Sequence, residues 1–180
     1  MEVTTFRGLK FTAPKEHTTL ENVLMDIRSD KWKDKIRKCR TDLKYKDWLP
    51  CFTPTGKFSH RSIKGLETYN GIICLDVDYV PFPEILKNDL RCLDWVHAAF
   101  ITPSGRGLKV LVKTNATIET YKDTEIKVSI MFTESTGAVR DNHCKDIARI
   151  QFISHDPHLY YNPDSVLVNH VADPIELEIL

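Results

Sequence analysis

The run Gly71-Ile72-Ile73-Cys74-Leu75-Asp76-Val77-Asp78 constrains this chain more than any other stretch. It reads as a mostly apolar β-strand ending in two carboxylates at i and i+2, which a strand places on one face roughly 7 Å apart. Like charges about 5 Å apart repel by on the order of 3 kcal/mol at an effective dielectric of about 20, so a strand end that gathers them calls for cations nearby. Hard oxygen donors of this kind suit Mg²⁺ or Mn²⁺. The alternative is a strand running out into solvent on two aspartates that merely terminate it, and the pair alone does not choose between the two.

The 180 residues fit one domain, with room for a substantial interior. Hydrophobic and charged fractions of 42% and 28% are those of a globular chain rather than a disordered or fibrous one. No apolar stretch approaches the roughly 20 residues of a membrane span, and the N-terminus lacks the layout of a signal peptide, so the expectation is a cytoplasmic protein without a membrane partner. Cys39, Cys51, Cys74, Cys92 and Cys144 are scattered and form no Cys-x-x-Cys pair, which points to reduced, mostly buried thiols. His97, His143, His155, His158 and His170 show no zinc spacing and read as packed or solvated side chains. Net charge is zero, which argues against a generally basic coat but leaves room for a local one. Lys31, Lys33, Lys35, Arg37, Lys38, Arg40, Lys44 and Lys46 crowd one segment, either as a solvated helix face or as a surface for a polyanion.

In chain order, Phe6, Leu9 and Phe11 lie in a short extended segment ending near Pro14. Thr18 and Glu21 form a capping-box pattern ahead of Leu20, Val23, Leu24 and Ile27 at helical spacing. A second helix is expected over about residues 30 to 43, burying Trp32, Ile36, Cys39 and Leu43, and a turn or hairpin over residues 48 to 58. From Gly71 the pattern is regular: a strand over 71–77, a helix near 82–92, strands near 95–102 and 107–113, a helix near 117–134 with Tyr121, Val128 and Phe132 inward, and a strand near 147–153. That order is βαββαβ, the split ferredoxin-like arrangement, an α+β fold whose last strand lies antiparallel beside the first. Alternation then assigns Ile73, Leu75, Val77, Leu108, Val110 and Val112 to the helix-covered face. The open face should display Asp76, Asp78, Lys109, Arg149 and Gln151 together, without the stacking aromatics of an RNA-recognition domain.

Two further stretches carry chemistry. In Thr102-Pro103-Ser104-Gly105-Arg106-Gly107-Leu108-Lys109, two glycines, a hydroxyl and two cations suggest a phosphate-binding hairpin, without the P-loop spacing. In Asp141-Asn142-His143-Cys144-Lys145-Asp146-Ile147-Ala148-Arg149, Asp141 is a candidate third carboxylate, Asp146 its local competitor, and Arg149 a fork able to reach a triphosphate. Asp156-Pro157 reads as a turn bordering the cleft.

Taken together, Leu75-Asp76-Val77-Asp78, Ser104 through Lys109, and Asp141 with Arg149 resemble the archaeo-eukaryotic primase-polymerase superfamily. Leu49-Pro50, Gly56-Lys57-Phe58 and Ala148 through Pro157 are more closely similar to the VirE N-terminal-like domain of replication proteins of bacterial mobile elements and phages. The resemblance covers most of residues 18 to 165. It implies an N-terminal unit with the basic helix (residues 1–66) packed on an RNA-recognition-like catalytic unit (67–180), the active site lying between them. It implies a DNA primase or polymerase using Mg²⁺ or Mn²⁺, with Asp76, Asp78 and Asp141 as metal ligands and catalytic acids. Ser104, Gly105, Arg106, Gly107, Lys109 and Arg149 would meet the incoming nucleotide triphosphate. Lys31, Lys35, Lys38 and Lys46 are candidate contacts for a single-stranded or primed DNA template, and a helicase or accessory primase domain on another chain is a candidate partner. Lys109 stands where the superfamily usually carries His, and no zinc-binding cysteine set is present. The alternatives are a catalytically silent nucleic-acid-binding module and, from the Asp-x-Asp pattern, a phosphohydrolase of the haloacid-dehalogenase type. The second lacks a downstream acidic pair and a doubly wound repeat.

Overall fold

The computed structural model describes residues 1–139 and 146–170. The chain opens with an antiparallel pair, β1 (Glu2–Phe6) and β2 (Glu16–Thr19), and Val3 and Phe6 of β1 are fully buried. α1 (Leu20–Arg28) follows directly. Its cap is Thr19 rather than Thr18: Thr19 Oγ accepts from the Asn22 N–H at 3.2 Å, while Thr18 remains in β2 and bonds the Asn22 side chain. Leu20, Val23, Leu24 and Ile27 form the buried stripe expected of it.

A short 3₁₀ turn (Asp30–Trp32) leads into α2 (Lys33–Thr41), which buries Ile36 and Cys39. The helix ends before Leu43, which opens another 3₁₀ turn (Leu43–Trp48) and stands 48% exposed, outside the expected stripe. β3 (Cys51–Thr53) and β4 (Gly56–Phe58) are not a hairpin. β3 joins β1, whereas β4 pairs with β5 (Leu66–Tyr69).

The second half follows the expected order at first. β6 (Ile72–Val77), α3 (Pro83–Asp89), β7 (Val96–Ile101), β8 (Leu108–Lys113) and α4 (Tyr121–Thr136) succeed one another, with β8 between β6 and β7. The last strand departs from the ferredoxin-like expectation. Pairing in the 147–153 region is confined to β9 (Gln151–Phe152), which sits against β3, so it completes the order β2-β1-β3-β9 instead of flanking β6. β10 (Tyr160–Tyr161) closes the other sheet on its far edge, giving β10-β7-β8-β6. The protein is therefore α+β with two antiparallel four-stranded sheets. No helix among the described residues is long and apolar enough to cross a membrane.

The second sheet is buried on both sides. Ile73, Leu75, Val77, Leu108, Val110 and Val112 pack with Tyr121, Val128 and Phe132 of α4, as alternation predicts. The opposite face is not open. Ile72, Cys74, Ala98, Phe100 and Leu111 pack against Val3, Phe52 and the α1 stripe. Cys39, Cys51 and Cys74 are buried, and Cys92 is exposed.

Asp156 ties the layers together. Its carboxylate accepts from Lys87 Nζ at 2.6 and 2.7 Å, from the Ile101 N–H at the end of β7 at 3.0 Å, and from the His158 N–H at 3.1 Å. Lys87 and Asp156 are both buried. Asp156→Ala strands the Lys87 ammonium and is expected to cost about 3–5 kcal/mol, read from urea unfolding; a Lys87→Met, Asp156→Leu double variant should recover most of the loss.

His97 of β7 is also buried, its Nδ1 2.9 Å from the Asn162 carbonyl oxygen and 3.1 Å from Ser165 Oγ. Burial lowers its pKa from the ordinary 6.5, against the raising effect of the Asn162 bond. The unfolded chain then binds the extra proton first, so stability falls as pH drops below 6.5 towards the lowered folded value. His97→Asn should flatten that slope in denaturation midpoints measured across this window.

Candidate functional site

β6 and β8 run antiparallel with Asp76 opposite Lys109 and Val77 opposite Leu108. The pleat that sends Leu75, Val77 and Val110 towards α4 sends Asp76 and Lys109 to the other face. There Lys109 Nζ and Asp76 Oδ2 form an ion pair between two nearly buried side chains. Asp78 lies just beyond the last residue of β6 and is exposed.

The turn between β7 and β8 abuts this strand end. A Cβ on Gly107 would stand 2.4 Å from the Val77 carbonyl oxygen and 3.3 Å from Asp78 Oδ1, so only glycine allows the approach. Gly105 adopts φ +74°, and a Cβ there would lie 3.4 Å from Arg40 Nε of α2. Two backbone donors are engaged within the turn: Gly105 N–H donates to the Thr102 carbonyl at 2.9 Å and Arg106 N–H to Ser104 Oγ at 3.3 Å. The glycines thus bring the turn against the carboxylate strand on one side and a guanidinium on the other. What the turn exposes is the Arg106 side chain.

A cleft of about 360 Å³ opens beside the ion pair. Its lining carries Lys46, Arg61, Lys109 and Arg149 against Asp76 and Asp146. The cationic excess suits a ligand with several negative charges. Gln151 lines it too, so four of the five residues expected on the open sheet face do converge, although residues 149–151 arrive from the other sheet. Thr55 Oγ1 holds that segment by donating to the Ile147 carbonyl at 2.6 Å, and Asp146 Oδ1 accepts from the Ala148 N–H at 2.9 Å. Cys51, paired with Phe152, has its thiol pushed up to about 12 by burial, which outweighs the opposing pull of Arg61. It stays protonated near neutrality and is no nucleophile.

Asp141 lies outside the described residues. Among the described residues no three His, Cys, Asp or Glu side chains form a metal-binding group. Mg²⁺ and Mn²⁺ are commonly held by one or two carboxylates together with water and substrate phosphates; here the Asp76 carboxylate is engaged by Lys109, and Asp78 is exposed beside it. The cationic walls suit the phosphates of that arrangement.

Residues 44–161, about two thirds of the chain, match the family model described as BT4734-like, N-terminal domain. The chain belongs to this BT4734-like N-terminal domain family. Neither a curated protein nor a solved structure matches it. The segment shared with the BT4734-like family contains Asp76, Asp78, the 102–107 turn, Asp156 and every lining residue of the cleft except Leu9.

The template candidates separate. Lys46 lines the cleft, its ammonium 5.3 Å from the Phe152 ring centroid. Lys31 pairs with Asp26 and lies over the Trp32 ring, Lys35 lies over the same ring at 5.3 Å, and Lys38 over Tyr45 at 4.2 Å. Arg61 and Arg40 belong to no motif in the sequence. Arg61 is an isolated cation among Ser and His, and its position follows from its backbone N–H donating to the Thr12 carbonyl at 2.9 Å and its guanidinium donating to the Leu9 carbonyl at 2.6 Å. Arg40 was one of many in a basic run.

The close approach at Gly107 is testable. Gly107→Ala must push β6 and the turn apart, with an expected loss of about 3 kcal/mol in thermal or urea unfolding. Gly137→Ala, where a Cβ meets nothing within 4 Å, should lose only the left-handed backbone strain of about 1 kcal/mol.

Proposed function

We propose that this chain is a metal-dependent nucleotidyltransferase of the primase-polymerase type, extending a nucleic-acid strand on a template during replication of a mobile element or phage. On this reading its two sheets correspond to an N-terminal unit packed on an RNA-recognition-like catalytic unit. One observation carries the proposal: the Asp76–Lys109 pair, with Asp78 and the glycine turn beside it, borders a cleft whose other charged lining residues are three cations, Lys46, Arg61 and Arg149, and one acid, Asp146.

In the ligand-free chain Asp76 and Lys109 are counter-ions of one another. A triphosphate with its divalent cation would offer each a new partner, two ion pairs in place of one. Asp76 and Asp78 would hold the cation, while Lys109, Arg149 and Arg106 would hold phosphate oxygens. Lysine does so as a point charge. What Mg²⁺ or Mn²⁺ supplies when bound is neutralisation of charge on the attacking and leaving oxygens. The residues around it contribute positioning and a fixed electrostatic field. A helicase or accessory primase domain on another chain is the expected partner for initiation.

A catalytically silent nucleic-acid-binding module is the second reading. It is favoured by the same ion pair, because Lys109 already neutralises Asp76 without a metal.

Titration of labelled dNTP and NTP with and without Mn²⁺ or Mg²⁺, followed by primer extension, separates the two. The proposal expects metal-dependent triphosphate binding that weakens at least about tenfold, or 1.4 kcal/mol, in Asp76→Asn, together with extension lost in the same variant. Metal-independent or absent triphosphate binding by the unaltered chain leaves only the silent module.

A further inference from the structure

The face of α2 opposite the ring-stacked Lys35 borders a second concave surface. Lys33, Arg37 and Arg40 are spaced four and three residues apart, which puts them on one side of the helix. They line a hollow of about 300 Å³ with His155. Arg40 and His155 also line a larger one of about 490 Å³, whose far wall is formed by Lys87 and Arg91 from the α3 region, with His158 beside them. Sharing these two residues, the hollows adjoin one another and together outline a channel.

We propose that this channel holds one single strand of nucleic acid by its phosphates, leading it from α2 towards the 102–107 turn. The inference rests on the reading that the chain acts on a nucleic-acid strand, and it gives that strand a path distinct from the carboxylate cleft. Three observations carry it. The first is charge: Lys33, Arg37, Arg40 and Arg91 project from the walls, while Lys87 is neutralised by Asp156 and Glu84 is the one other carboxylate in either lining. Lys33 and Arg37 are paired with Asp30 and Asp34, but at exposed positions where such pairs are weak and exchange readily.

The second is rigidity. Arg40 Nη2 donates to the His155 carbonyl at 3.3 Å, and His155 Nε2 lies 3.1 Å from Asp30 Oδ1. The floor is set by the Asp156 carboxylate and its four hydrogen bonds. The third is direction. Arg40 sits against Gly105, and the other side of that turn sits against Asp78, so the channel leads to the carboxylate strand end.

The occupant follows from shape and chemistry. Residues 33 to 40 span about 10 Å along the helix axis before the larger hollow begins, an extended run of cations rather than a pocket for one phosphate. The isoleucines of the linings, Ile36 and Ile101, are buried, so the walls present charge and donors rather than the apolar anchors of a protein interface.

The test is fluorescence anisotropy of a short labelled mixed-sequence DNA single strand with the whole chain, over a series of salt concentrations. Arg37→Ala and Arg91→Ala, both at exposed positions, should each weaken binding and reduce the slope of log affinity against log salt by about 0.7, while Lys122→Ala on α4 leaves it unchanged. Circular dichroism confirms that each variant is folded. The proposal is overturned if the unaltered chain does not bind the strand, or if both arginine variants keep its slope. Loss of slope in Lys35→Ala but not in Arg37→Ala overturns it too, as does a blunt duplex bound with equal affinity and equal sensitivity. Triphosphate binding, measured in parallel, separates the two ideas. Arginine variants with unchanged slope in a chain that binds metal-triphosphate leave the nucleotidyltransferase reading intact, and reduced slopes in a chain that binds no triphosphate leave the channel intact without it.

Discussion

A sheet covered on both faces dictates where this protein can keep its charges. β6, β8 and β7 give one set of alternating side chains to α4 and the other to α1, β1 and β3, so an unpaired polar group in the middle of any of these strands would be desolvated. Polar side chains are tolerated only at the strand ends that neither layer fully covers. Asp76 and Lys109 sit at such an end, nearly buried and paired with one another. The cleft is the place where double coverage gives out.

The same constraint explains the character of the ion pair. Charges held at the rim of an apolar layer interact through a lower dielectric than those on an open surface, which makes their partners consequential. The surrounding cations, Lys46, Arg61 and Arg149, come from three separate segments. Each is anchored differently: by an aromatic ring, by a hydrogen bond to the 8–12 loop, and by the Thr55-pinned segment ahead of β9. A polyanion entering the cleft therefore meets charge from Lys46 and Arg61 of the N-terminal part and Arg149 ahead of β9 as well as from Lys109 of the second sheet.

Much of this was legible from local pattern. The alternation in β6 and β8, the buried stripe of α1 and the order of elements from Gly71 to α4 follow from periods of 2 and 3.6 that one sequence displays. The destination of residues 147–153 was not. Gln151 and Phe152 carry the same alternation whether they pair with β6 or with β3, and strand pairing partners are long-range facts that local periodicity does not encode. Convergence of Arg149 and Gln151 on Asp76 was anticipated, but through a neighbouring strand rather than across two sheets. The open face was misread for a related reason. Cys74, Leu111 and Phe100 are apolar enough to be covered, and what covers them is encoded some 50 to 100 residues earlier, in α1 and β1. The glycines of the turn read as a phosphate nest, whereas Gly107 is explained by the close approach of the Val77 carbonyl and Gly105 by its left-handed backbone.

The placement of β9 reaches beyond topology. Because the chain crosses from the first sheet to the second and then returns to complete the first, its two layers are laced together rather than joined by a single linker. Domains connected once can swing apart like the covers of a book, opening and closing a site by rotation about the spine. A laced pair has no spine, so β3 cannot part from the second layer without breaking its ladder to β9 or dragging the segment ahead of it out of the cleft wall. Ligand exchange in such a cleft is left to side chains and the short turns around its mouth, and occupancy is registered by the molecule as a whole, as added resistance to unfolding.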